Sequence, residues 1–172
     1  MHISPLEEYG LRCALQLARN PERVTSASAI AEKEGLSVEY VSKLLFLLRK
    51  GGIVNAARGT QGGFGLSRPS DQISLQAVFT ALNSATGKRD NVDFCQTYSG
   101  QKDRCVHSDE CSIRPVWEVL SFYFKEVLEA LTLSSLLEKE KGTFMQVQSI
   151  AANKAGLIQK IFQQPPCKEG IL

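Results

Sequence analysis

Cys95, Cys105 and Cys111 crowd one polar stretch of a 172-residue chain, with nine residues in the first gap and five in the second. Three thiolates are three of the four donors that an iron-sulfur cluster usually takes from protein. They also suit a zinc ion, with His107 as a fourth ligand, or a bare oxidation switch. Further donors near them in chemistry, if not in sequence, are Glu7, Glu8 and any residue beyond Cys111. Cys13 and Cys167 stand apart: Cys13 falls on an apolar helical stripe, and Cys167 follows two prolines in a polar tail, where an exposed thiol is expected. Five cysteines is an odd count, and grouped thiols without a secretory leader point to a reducing, cytoplasmic setting with metal or redox use of sulfur.

An enzyme is not expected. The chain has no C-x-x-C pair and no phosphate-cradling glycine motif, and its only imidazoles are His2 and His107. No apolar run reaches the ~20 residues of a bilayer crossing, so no membrane partner is expected. Net charge is only +2, but residues 1–70 carry nine Lys/Arg against six Asp/Glu, whereas 115–141 carry three against five. The basic end is the N-terminal one, which is where a phosphate-binding surface belongs.

The elements that must position the thiols read clearly. Ser4-Pro5-Leu6-Glu7 is a capping box with proline in the first turn, opening a helix to about Arg19. Its apolar positions Leu6, Tyr9, Cys13 and Leu17, with Leu11, Ala14, Leu15 and Ala18, form the inner face. Glu8, Arg12, Gln16 and Arg19 form a polar row, so Glu8 points away from the core. Ser26–Glu34 is a short helix ended by Gly35, and Ser37 caps a third over Val38–Lys50 with Val41, Leu44, Leu45 and Leu48 at core spacing. Gly51-Gly52 stops it, and strands over Ile53–Arg58 and Phe64–Ser67 flank a glycine-rich tip. Ser74 caps a helix over Leu75–Leu82. After the cysteine loop, Ser112–Leu131 carries Val116, Trp117, Leu120, Phe124, Val127, Leu128 and Leu131, more large apolar residues than a lone surface helix would expose. Trp117, Phe122, Tyr123 and Phe124 read as packing. Thr132 is expected to cap a short helix through Lys139, and Phe144–Phe162 is a weaker amphipathic stretch.

The expected fold is therefore mainly α: a winged helix-turn-helix with a two-stranded wing and a long dimerisation helix. It divides into residues 1–82 (winged helix-turn-helix), 83–114 (cysteine loop), 115–141 (dimerisation helix and short final helix) and 142–172 (a C-terminal extension, partly without fixed structure). In such a fold the second helix enters the major groove of double-stranded DNA. Its outward residues are Ser37, Glu39, Tyr40, Ser42 and Lys43, with Arg49 and Lys50 further along; the wing adds Arg58, Thr60 and Gln61.

The run Leu36-Ser37-Val38-Glu39-Tyr40-Val41 through Leu48-Arg49-Lys50-Gly51-Gly52-Ile53-Val54, followed by Ala57-Arg58-Gly59-Thr60-Gln61-Gly62-Gly63-Phe64, resembles the Rrf-two family (Rrf2) of transcriptional regulators, in its IscR-like and NsrR-like branches. The resemblance covers Met1 to about Lys141. It implies a homodimer on a partly palindromic DNA operator, with residues 37–50 in the major groove and Arg58 and its neighbours in the minor groove. It also implies that Cys95, Cys105 and Cys111 hold a 2Fe-2S or 4Fe-4S cluster whose state reports redox conditions, nitric oxide or iron status. The first cysteine gap is longer here than in typical members. The histidine that one branch places three residues after the last cysteine is Arg114 here, which cannot ligate. The helix-two histidine of another variant corresponds to Lys33. The carboxylate branch matches Glu8, which would reach across the dimer; His107 is the reserve. The alternatives are a zinc- or thiol-based winged-helix regulator and a protein-docking adaptor.

Overall fold

The computed structural model describes residues 3–57, 59, 62–84, 100–103, 105–107, 110–138 and 140–162. Helix α1 (Pro5–Ala18) opens on the expected capping box: the Glu7 amide donates to Ser4 Oγ at 3.3 Å, and the Ser4 amide donates to Glu7 Oε2 at 2.7 Å. Helix α2 (Ala27–Glu34) is capped by Ser26, whose Oγ accepts the Ala29 amide, and ends on Gly35 in the left-handed region at φ 65°. Helix α3 (Val38–Lys50) is capped by Ser37, whose Oγ accepts the Tyr40 amide at 3.2 Å.

Strands β1 (Val54–Ala57) and β2 (Gly63–Leu66) pair antiparallel, from Val54 opposite Leu66 to Ala57 opposite Gly63. The hairpin does not stand alone. Thr25, in the connection between α1 and α2, exchanges two backbone hydrogen bonds with Phe64, each 2.9 Å. A Cβ at Gly63 would lie 2.9 Å from the Thr25 carbonyl, so the glycine is what permits this approach.

Helix α4 (Leu75–Ser84), capped by Ser74, closes the core against α1 and α3. Leu17, Ile30, Leu44, Leu45, Leu48, Ile53, Ile73, Leu82 and Leu133 are fully buried there, each contributing about 1.5–3 kcal/mol of burial. This core is the winged helix-turn-helix expected from the sequence, and among the described residues the architecture is mainly helical with one two-stranded sheet.

Helix α5 (Arg114–Ala130) starts outside the core and reaches it only in its last turn, where Leu128 is its one buried residue. Its C-terminal end is stitched to the start of α4. The Leu75 amide donates to the Leu131 carbonyl at 2.8 Å, and the Leu133 amide to the Ile73 carbonyl at 2.9 Å.

Three sequence expectations need correction. Gln16 is not in an exposed polar row; it is buried because α2 covers that end of α1, and its Nε2 donates to Glu34 Oε1. The expected helix after Thr132 is a short 3-10 turn, Ser134–Leu137, without a side-chain cap; the Thr132 amide donates to Ser135 Oγ, and its hydroxyl shares hydrogen bonds with those of Ser134 and Ser135. Beyond it, Glu140–Phe162 forms one long helix, α6. Tyr123 on α5 donates its hydroxyl to the Ala151 carbonyl at 3.0 Å, and Val147 and Ile150 pack on the core.

Candidate nucleic-acid interface and candidate metal centre

Helix α3 turns Val41, Leu44, Leu45, Leu47 and Leu48 into the core, so its opposite face is fixed by helical geometry. At about 100° per residue, that face is centred near Phe46 and Glu39, with Ser42, Lys43 and Lys50 beside them. All five are exposed. Arg49 and Lys50 occupy the last turn, and Glu39 the first. Two of the sequence-selected residues stand elsewhere. Tyr40 is half-buried and meets Tyr9 edge-to-face at 6.0 Å, so its ring braces α1 against α3. The Ser37 hydroxyl is engaged as the helix cap. Arg58, Thr60 and Gln61 lie outside the described residues; between them, Gly59 has φ 117°, and the Gly62 amide donates to its carbonyl at 2.9 Å.

The residue that the sequence reading passed over is Phe46, 59% exposed at the middle of this face. Counting 100° steps from the buried leucines would have found it.

Of the three loop thiols, Cys105 and Cys111 are free and half-buried, and Cys95 lies outside the described residues. Among the described residues, no three His, Cys, Asp or Glu side chains group closely enough to hold a metal ion. Two uncommitted thiols six positions apart are soft donors of the kind that suits iron-sulfur chemistry, so what is described of the loop fits such a group. Arg114 Nη2 donates to the His107 carbonyl at 3.2 Å, which ties the loop to the start of α5. Glu8 sits on the outer side of α1, where Oε1 accepts from Arg12 at 2.8 Å in a surface pair that is nearly half exposed. Arg12 also stacks over the Tyr9 ring at 5.6 Å, and its basicity is raised chiefly by the hydrogen bond to Glu8. Cys13 is fully buried; burial first, and then the charge of Glu34, push its thiol up to about 12. It is a core residue.

A helix-turn-helix with a two-stranded wing and a basic outward helix face is the architecture of a DNA-binding transcription regulator. The chain matches the Rrf2 model, described as an iron-dependent transcriptional regulator, over residues 3–139, and it belongs to that family. It is 35% identical over 142 residues to the HTH-type transcriptional regulator IscR of Sodalis glossinidius, a match spanning 82% of this chain and 81% of that protein. Among solved structures it is similar to IscR of T. potens (29% identity, TM-score 0.63, 80% of this chain and 86% of that one). It is also similar to CymR, the global cysteine regulator of B. subtilis (30% identity, TM-score 0.64, 79% and 95%). Among the described residues, no helix is long and apolar enough to cross a membrane.

Proposed function

We propose that this regulator works as a homodimer on a DNA operator and that an iron-sulfur cluster, 2Fe-2S or 4Fe-4S, controls its affinity. Cys95, Cys105 and Cys111 would hold the cluster, with Glu8 of the partner subunit as the fourth donor. When bound, the cluster would supply an iron centre reactive toward oxidants and nitric oxide.

The observation that carries the reading is the apolar row on α5. Ile113, the N-cap, is 60% exposed, and Val116 (52%), Trp117 (45%) and Leu120 (52%) continue the row on the helix, whose first residue lies three positions after Cys111. A row of that size exposed to water is a docking surface, and a second copy of the same helix is its natural partner. The cysteine loop therefore lies between α4, which packs on the reading helix α3, and the helix that would fix the spacing of two such heads. Restraint of that loop would pass to α4 through the Leu75–Leu131 and Leu133–Ile73 hydrogen bonds. Glu8 is suited to its role because its one described partner, Arg12, holds it in a weak exposed pair, so redirecting it costs little. Glu39, Ser42 and Lys43 on α3, with Arg58, Thr60 and Gln61 on the wing, would read the duplex; Ser37 and Tyr40 would position the helix.

The test is operator affinity of the anaerobically purified chain before and after chelation of its metal, at graded salt. A change of about 5- to 150-fold on metal loss, with a steep salt slope, is expected. Unchanged affinity would overturn the control mechanism, and an absence of salt dependence would favour the docking adaptor. A response to thiol oxidants in metal-free protein would favour the thiol-based reading, consistent with the likeness to a cysteine regulator.

A further inference from the structure

Phe46 is out of place for a solvated helix face. Its ring is 59% exposed, yet it sits at the centre of the face of α3 opposite the buried leucines, flanked by Ser42, Lys43, Arg49 and Lys50. One carboxylate, Glu39, shares that face. An apolar disc ringed by cations complements a surface that is itself apolar in the middle and anionic at both edges. The floor of a DNA major groove between its two phosphate rows has that pattern, and thymine methyl groups are its apolar element. Phe46 is the ninth residue of α3, one helical turn beyond Ser42 and Lys43 and about 12 Å along the axis from Val38. The ring is thus on the same groove-facing side as the polar reading residues.

We infer that Phe46 is a specificity-determining residue that reads a thymine methyl in the major groove. This rests on the DNA-binding reading above. Because the contact is apolar, it discriminates thymine from cytosine and from uracil without a hydrogen bond, and its loss leaves the phosphate contacts of the neighbouring cations in place.

The experiment uses the full chain and a duplex that it enriches from a random duplex pool. Each thymine of that duplex is replaced singly by deoxyuridine, which removes one methyl and alters nothing else on the groove floor. Wild type should bind about three- to fivefold more weakly at one position per half-site. Phe46→Ala should be weaker on the parent duplex and indifferent to that replacement, whereas Phe46→Leu should retain the dependence. Melting temperatures should match, because the ring is largely outside the core. If wild type is indifferent to every methyl, or if Phe46→Ala keeps the same dependence, the inference is overturned. If no duplex is enriched at all, the DNA-binding reading itself fails and takes this inference with it.

Discussion

Asn83, in the last turn of α4, donates its side-chain amide to Glu7 Oε1 at 2.8 Å, while Glu7 Oε2 closes the cap of α1 on Ser4. Both oxygens of Glu7 are thereby committed to structure, and its neighbour Glu8 lies on the outer side of the same helix. Glu7→Ala is expected to lose about 1–3 kcal/mol of stability, because it removes half a capping box and the carboxylate oxygen to which Asn83 donates. Glu8→Ala should change stability little. Urea denaturation of the two variants checks this division of labour; equal losses would contradict it.

Disruption of the α5 row should separate assembly from folding. Leu120→Glu places a charge on an exposed position, so helix content should be retained while sedimentation shows a monomer and operator affinity falls at least tenfold, for want of a second half-site. A dimer that survives this change would place the interface elsewhere.

Helices α3 and α4 meet with no space for a methyl group at Gly51. A Cβ there would lie 2.7 Å from Ala81 Cα and closer still to Ala81 Cβ. The backbone at Gly51 has φ −82°, which any residue adopts, so the penalty for Gly51→Ala is purely one of contact. A loss of about 1–3 kcal/mol is expected from thermal or urea unfolding.

The Cys13 thiol, raised from 9.0 to about 12 by burial, sets a pH signature. The unfolded chain releases this proton near pH 9, and the folded one holds it to about 12. The stabilisation is therefore complete below pH 9 and is lost as pH rises from 9 toward 12. Cys13→Ala should flatten the fall in stability over that window, and in native wild type at pH 8 Cys13 should resist iodoacetamide.

What could be read in the sequence was local or periodic. Ser4, Ser37 and Ser74 announce their helices because a cap needs only three or four residues, and the leucines of α3 repeat at helical spacing. Gln16 could not be read, because its burial depends on where α2 lands. Tyr40 was misdirected for the same reason: its ring belongs to a contact with Tyr9, thirty-one positions away. Helix α6 was faint because its apolar positions are diluted; Phe144 and Met145 remain exposed even in the folded chain, and much of its hold on the core comes through Val147, Ile150 and the Tyr123 hydrogen bond. For the candidate metal centre, spacing singled out three thiols as candidate donors, but a donor supplied by another helix would leave no local pattern. Glu8 was nominated by family likeness and by its freedom from the core.

The most direct measurement is iron and acid-labile sulfide content, with visible absorption, on anaerobically purified wild type and on Cys95→Ser, Cys105→Ser, Cys111→Ser and Glu8→Ala. Wild type should carry both elements in equal amounts with sulfur-to-iron charge-transfer bands. Each cysteine variant should lose them, and Glu8→Ala should hold a bleachable remnant. Zinc alone, or wild type that is colourless and free of iron and sulfide, would contradict the account.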